Sequence, residues 1–376
     1  MEKKNIIIVC GEPSGDLHAS LLAQEIKSMQ PEISISGVGG PLFQKYCDEL
    51  YCDIEKLAVL GLTDVLKKLP EFIRLKRLIL KNIQEKRPSG IILIDFSGFN
   101  LRLAKAINNS CKTIYYISPQ VWASRSGRVK TIKKYIQGII VFFKFEQQFY
   151  LRHGIKAEWV GHPLLDIVKP ASDKKDFFFQ LKLSTTNPTF ALLPGSRRQE
   201  IDNILPIMLD TAKFLRKALP AAQFILVKPP QMNQAIYHRH LNKTDLKIVI
   251  VEEKAYDCIA HSDFCLVASG TATLETAILQ KPFIIIYKMN LLNYLLYRPQ
   301  VRIPFVGMVN IVAGKRIIPE FIQFRARPRK IAQTILDLWQ DKEKMQEIKL
   351  KLKETVSLLG EKGATRRAAQ LILNIL

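Results

Sequence analysis

The sequence predicts an α/β protein built from two doubly wound, Rossmann-like domains. Three observations carry that expectation. Short apolar, β-branched runs alternate with segments of helical spacing. The alternation starts over past a polar stretch near the middle of the chain. The 376 residues suffice for two domains of ordinary size. Continuously apolar strands are those buried on both faces, so the sheets should be parallel.

In chain order, residues 5–10 read as a strand, 11–16 (Gly-Glu-Pro-Ser-Gly-Asp) as a tight loop, and Leu17, Leu21, Leu22 and Ile26 as one face of a helix. Further strands are expected at 33–38, 90–95, 112–117 and 138–143. Residues 1–170 thus form a first domain. The polar stretch 171–188 reads as a linker ending in Asn187-Pro188. The second domain, 188–340, opens with a strand at 189–193, the turn Pro194-Gly195-Ser196-Arg197 and a helix from about Ile201 to Ala218. Strands follow at 222–227, 247–251, 263–267 and 283–287. Residues 341–376 are helical, and are expected to pack back on the N-terminal domain or on a partner subunit, which leaves a homodimer open. Two such domains should face each other across a cleft, with ligands beyond the carboxyl ends of the strands.

Composition narrows the function. Apolar residues make up 48% and charged residues 24% of the chain, which excludes a disordered or collagen-like protein. Six cysteines without a C-x-x-C pair argue against a disulfide framework and a zinc site. The histidines, His18, His162, His238, His240 and His261 among them, show no H-x-x-x-H ligand spacing, so no metal is expected. His162 could line the cleft or merely form a turn. No secretory signal and no apolar run of membrane-spanning length is visible. The formal charge of +22 asks for an anionic partner: nucleic acid, a membrane surface or phosphorylated substrates. A basic face interleaved with exposed aromatics, as nucleic-acid binding would need, is not seen.

The loops after the strands hold the candidate chemistry. A Gly-Ser-Arg turn before a helix suits phosphate, since the backbone N–H groups of a helix start attract anions and Arg197 can fork onto oxygens. In Ser269-Gly270-Thr271-Ala272-Thr273-Leu274-Glu275, small residues allow close approach, the threonines carry hydroxyls, and Glu275 can accept from a ribose diol. Two anion sites in one half suggest a nucleoside diphosphate. Neither loop is a Walker motif or G-x-G-x-x-G, which weakens ATP hydrolysis and NAD chemistry. In the first half, Glu12, Ser14 and Asp16 can hydrogen-bond a polyhydroxy ligand or, alternatively, cap a helix. Asp95 ends an apolar strand, where burial raises a carboxyl pKa toward that of a general base; helix capping is its alternative.

Residues 61–87 form a basic amphipathic segment. Apolar Leu69, Phe72 and Ile73 lie among Lys67, Lys68, Arg74, Lys76 and Arg77. Such a segment can lie in a lipid interface, or can be ordinary core-packing helix with a solvated face.

The ordered set of motifs resembles the lipid-A-disaccharide synthases. The matching segments are Gly11–Asp16, Gly37–Pro41, Leu57–Gly61, Ile94-Asp95, Tyr116–Ala123, Val160–Pro163, Leu193–Ile201, Ser269–Glu275, Asn310–Gly314 and Pro319–Gln323. Ser124 stands where relatives often carry a second Trp, and Pro13 where Ala is frequent.

The resemblance implies a GT-B glycosyltransferase without cofactor or metal. Such an enzyme joins UDP-2,3-diacylglucosamine to 2,3-diacylglucosamine 1-phosphate with inversion, releasing UDP at the cytoplasmic face of the inner membrane. It implies Gly195, Ser196, Arg197, Gly270, Thr271, Ala272, Thr273, Glu275 and Asn310 at the UDP donor. Asp95 is implied as base, with Arg197 stabilising the leaving group. Glu12, Ser14, Asp16, Ser118 and Gln120 are implied at the acceptor, and 61–87 at an anionic membrane surface. Another UDP-sugar enzyme, such as a 2-epimerase, is the rival within the fold class.

Overall fold

The computed structural model describes residues 4–54, 69–124, 126–230, 232–291, 294–295, 299 and 303–376. The chain divides into two compact units, residues 1–166 with 359–376, and residues 167–358. It therefore passes between them twice.

The N-terminal unit holds a seven-stranded sheet: β1 (Asn5–Val9), β2 (Ser34–Gly39), β3 (Glu49–Asp53), β4 (Gly90–Ile94), β5 (Thr113–Tyr116), β6 (Gly138–Val141) and β7 (Glu158–Trp159). Their order is β3-β2-β1-β4-β5-β6-β7, with every pairing parallel. Ile6–Val9 and Ile91–Ile94 are wholly buried, as strands covered by helices on both faces must be. One cover is the helix Pro13–Met29, started by a proline at its first turn, where the missing N–H costs nothing.

The C-terminal unit repeats the plan with β8 (Thr189–Leu193), β9 (Gln223–Lys228), β10 (Ile248–Glu252), β11 (Phe264–Ala268), β12 (Phe283–Tyr287) and β13 (Glu320–Ile322). The order is β10-β9-β8-β11-β12-β13, again all parallel. The helices Arg198–Ala218 and Pro328–Gln340 pack on each other, and Phe190, Phe224 and Phe264 fill the core between sheet and helices.

Two segments differ from the sequence expectation. The stretch 171–188 is not a bare linker. It contains the helix Lys174–Gln180, whose Phe177 and Phe178 are fully buried in the C-terminal core. The Asp257 carboxylate accepts from the Ala171 and Ser172 N–H groups just before it. Residues 341–376 do not stay together. The helix Lys342–Ser357 packs on Ala272–Ile278 in the C-terminal unit, whereas Ala364–Ile375 lies on Pro13–Met29 in the N-terminal unit. Arg367 anchors the latter by donating to the carbonyls of Val160, Glu361 and Lys362, and His162 N–H donates to the Leu359 carbonyl at 2.9 Å.

Candidate active site

In each sheet the strand order reverses direction beside the first strand, between β1 and β4 and between β8 and β11. Loops leaving such a pair part to opposite faces and open a crevice at the carboxyl edge. The loop after β8 is Pro194–Arg197, and that after β11 is Ser269–Thr271. The two candidate anion loops therefore flank one switch point.

The first loop runs into the 21-residue helix Arg198–Ala218, with Arg197 at its N-cap. Glu200, one turn in, folds back on the loop. Its carboxylate accepts from Ser196 N–H at 3.1 Å and lies 3.8 Å from the Arg197 guanidinium. Gly195 has φ +113°, and a Cβ there would run into the Glu200 carboxylate. The guanidinium remains 64% exposed.

The second loop is open at Gly270, where a Cβ would meet nothing within 4 Å, and Thr271 is exposed. Thr273 is buried, and its hydroxyl donates to the Gly270 carbonyl at 2.8 Å, so it braces the turn and has no donor to offer a ligand. Glu275 lies in the first turn of the helix Ala272–Ile278 and accepts from the Tyr256 hydroxyl at 3.4 Å. Burial pushes its carboxyl up to about 7, against the hydrogen bond from Tyr256.

Asn310, implied at the donor by the resemblance, is held inside the C-terminal unit. It is fully buried, and its amide is hydrogen-bonded on both sides, to backbone groups and to one carboxylate. Its oxygen accepts from Ile317 and Ile318 N–H at 2.9 and 3.0 Å; its NH2 donates to the Ile318 carbonyl and the Glu320 carboxylate. Glu320 also accepts from the Val306 and Gly307 N–H groups. Asn310 thus staples the 306–320 loop.

In the N-terminal unit the corresponding loops follow β1 and β4. They touch: a Cβ on Gly11 would strike the Phe96 ring. Glu12 is the N-cap of Pro13–Met29, Ser14 is exposed in its first turn, and Asp95 leaves β4 partly buried. Asp95 (φ +45°), Phe96 (φ +44°) and Ile117 (φ +64°) are non-glycine residues with left-handed backbone. For β-branched Ile117 this is a marked outlier, and such strain gathers where surroundings impose a geometry for function. The Asp95 carbonyl accepts from the Tyr115 hydroxyl and, at 3.0 Å, from the Asn100 amide. Those bonds fix the turn through the main chain.

Asp16 takes the helix-capping alternative, on a helix other than its own. Its carboxylate, 3% exposed, accepts from the N–H groups of Gly40 (2.7 Å), Leu42 (3.0 Å) and Phe43 (3.0 Å). It caps the short helix Pro41–Gln44 across 24 residues of sequence and so fixes the loop after β2. Ser118 is buried and Gln120 exposed.

Behind these loops lies a cluster of which the sequence analysis weighed only the two histidines. His18 and His162 each lie against the Phe142 ring, at 5.2 and 5.1 Å between centroids. Burial holds the first imidazole down to about 4; burial and the charge on His18 hold the second down to about 3. His18 Nδ1 has no hydrogen-bond partner, while His162 Nδ1 accepts from Leu164 N–H, so His162 belongs to a packed turn. Trp122, on the loop after β5, donates to the Glu146 carboxylate at 2.9 Å; burial pushes that carboxyl up to about 7. The spacing Phe143-x-x-Glu146, a carboxylate at the third helical position, was the available signal for Glu146.

The helix Leu69–Lys86 buries Leu75, Ile79, Asn82 and Ile83. Phe72 also turns inward, half-buried, 5.9 Å from Phe96 and 6.1 Å from Phe99, so it packs on the core. Leu69 (40%) and Ile73 (39%), one turn apart, stay exposed beside Arg74 and Arg77, with Lys76 half-buried. Lys67, Lys68 and the 57–61 motif lie outside the described residues. Among the described residues no helix is long and apolar enough to cross a membrane, and no group of three His, Cys, Asp or Glu is placed to share a metal ion.

Comparison with known proteins places the fold and the family. Among solved structures, the UDP-GlcNAc 2-epimerase from Neisseria meningitidis bound to UDP-GlcNAc superposes with a TM-score of 0.66 at 12% identity, covering 98% of this chain and 100% of that one. A glycosyltransferase from Rickettsia africae does so at 0.60 and 14% identity, covering 99% and 98%. At such identities they establish the fold, GT-B, and nothing narrower. The lipid-A-disaccharide synthase of Syntrophus aciditrophicus is 38% identical over all of this chain and 99% of its own length. The family model described as lipid-A-disaccharide synthetase matches residues 6–375, end to end and through both switch-point loops, and on that match the chain belongs to the lipid-A-disaccharide synthetase family.

Proposed function

We propose that the chain performs the family's reaction, joining UDP-2,3-diacylglucosamine to 2,3-diacylglucosamine 1-phosphate to give the β-1,6-linked disaccharide 1-phosphate and UDP. The observation that carries the reading is the family match across residues 6–375. The likeness to a 2-epimerase is one of fold, at 12% identity.

The site residues take roles by their chemistry. Gly270 and Thr271 offer an open backbone to the UDP diphosphate, the Arg197 guanidinium meets its oxygens, and Glu275 accepts from the ribose. Asp95 takes the proton of the acceptor 6-hydroxyl as that oxygen bonds to the donor's anomeric carbon. The bond from that carbon to the diphosphate breaks, its electron pair leaves with UDP, and inversion follows from attack on the opposite face. Charge growing on the departing diphosphate is stabilised by Arg197 and by the N-terminal N–H groups of the flanking helices, groups already in position before the reaction. Glu12 and Ser14, at the start of their helix, and Gln120 supply acceptor contacts.

The substrates carry acyl chains, so the protein must reach a bilayer. Leu69 and Ile73 with Arg74, Lys76 and Arg77 form the docking face on an anionic inner-membrane surface, apolar groups down and cations on headgroups. Incubation with both substrates should release UDP only when the acceptor is present. Release independent of acceptor, or epimerised sugar in its place, would refute the reading. Arg197→Ala should lower kcat/KM by about 2–4 kcal/mol of transition-state stabilisation, the cost of a preorganised donor to a developing charge.

A further inference from the structure

We infer that Glu200 is a built-in stand-in for the donor's diphosphate, a carboxylate that the nucleotide must displace and that returns as UDP leaves. The inference rests on the donor reading above and goes beyond it. Three observations on one loop carry it. The Glu200 carboxylate accepts from Ser196 N–H at 3.1 Å, and its other oxygen lies 3.8 Å from the Arg197 guanidinium. These are the N–H and the cation that a phosphate at this helix start would use. The place a side chain would fill at residue 195 is taken by the same carboxylate, so Gly195 makes room for Glu200 as well as for a ligand.

A carboxylate and a diphosphate cannot share one N–H and one guanidinium without like-charge repulsion. The pair is also cheap to part: Arg197 is 64% and Glu200 30% exposed, and exposed ion pairs at such distances contribute little. Glu200 therefore keeps the loop and Arg197 in the anion-binding arrangement while the site is empty. It weakens UDP binding modestly by competing for the same groups, which favours product release. Tyr287, at the end of β12, shares this field: burial raises its hydroxyl pKa, Glu200 raises it further and Arg197 lowers it.

The test is calorimetric titration with UDP, together with donor kinetics, on the full chain. Glu200→Gln keeps an amide oxygen that can accept from Ser196 N–H but removes the competing charge. UDP affinity should rise about two- to fivefold, the size of one exposed charge pair. Donor KM should fall with it, and UDP should inhibit more strongly. Glu200→Ala, which lacks the acceptor too, should also tighten UDP but by less, because the loop is then less ordered; it serves as the second variant if Glu200→Gln melts early. Unchanged or weaker UDP binding in both variants overturns the inference. Arg197→Ala separates the two layers. If it weakens UDP while the Glu200 variants tighten nothing, only the stand-in role falls. If it leaves UDP affinity unchanged, the donor reading fails first and the inference with it.

Discussion

His18 offers a perturbation whose size follows from the structure. It is 7% exposed, with a pKa held near 4 against 6.5 for the free group, and His162 is held near 3. A folded-state pKa below the unfolded one means that the unfolded chain takes up the proton first. The stability is complete above pH 6.5 and is lost as pH falls toward 4. At pH 5 each histidine costs about 2 kcal/mol relative to pH 8, or about 4 for the pair. Glu146 opposes them: its pKa is raised from 4.5 to about 7, so its native state is favoured below 4.5 and disfavoured as pH rises through 7. Acidification to pH 5 returns about 2–3 kcal/mol from that group. The N-terminal unit should thus lose a net of about 1–2 kcal/mol between pH 8 and 5, and His18→Phe should abolish that loss. Tryptophan fluorescence can isolate the unit, because Trp122 and Trp159 belong to it and Trp339 does not. In a Trp339→Phe background, urea unfolding at pH 8, 7, 6 and 5 should give pH dependences that differ by about 2 kcal/mol between parent and His18→Phe. Parallel curves would refute the claim that His18 is held neutral by burial.

Other substitutions separate chemistry from scaffolding. Asp95→Asn should lower kcat steeply while UDP affinity and melting hold, since Tyr115 and Asn100 bond its carbonyl, which the substitution keeps; lost thermal stability with normal turnover would make Asp95 structural. Asp16→Ala should cost about 3 kcal/mol in unfolding experiments, because three N–H groups lose a charged acceptor; a change in acceptor KM at unchanged stability would restore it to the binding site. Asn310→Ala should likewise destabilise the C-terminal unit by about 3 kcal/mol and spare UDP affinity where the unit remains folded, as calorimetry would show. Arg74→Gln, Lys76→Gln and Arg77→Gln together should reduce sedimentation with anionic vesicles about 10- to 100-fold at low salt. Equal sedimentation would leave the Leu69–Lys86 helix a plain core helix.

Much of the fold is legible because burial on both faces writes itself as an unbroken apolar run. β1, β4, β8, β11 and β12 are such runs, and their positions follow from the sequence to within a residue or two. β3, β7 and β13 are not anticipated. They are edge or near-edge strands of five, two and three residues carrying Glu49, Asp53, Glu158 and Glu320, and an edge strand needs no apolar run to pair. The stretch 171–188 misleads for a related reason. Its average polarity hides Phe177 and Phe178, and two buried aromatics are enough to tie a short helix to the core.

The site divides along a different line. Sequence shows which side chains can hydrogen-bond, whereas the fold decides which backbone groups reach them first. Asp16, Thr273 and Asn310 all carry the right chemistry for a sugar or nucleotide, yet each is hydrogen-bonded to N–H or carbonyl groups, in two cases of another loop, and Asn310 to the Glu320 carboxylate besides. Gly270, Thr271, Gln120 and Arg197 keep open backbone or exposed side chains. That contrast gives a criterion for the whole edge of each sheet: a buried polar residue whose valences the backbone fills shapes the loop, and one left reachable is available for chemistry. Glu200 falls between the two classes. It fills a backbone valence at a half-buried position beside an exposed guanidinium, and it is charged like the ligand. A group with those properties can hold the loop in shape and still give way, so the Glu200 titration decides whether the criterion extends to residues that switch between the two roles.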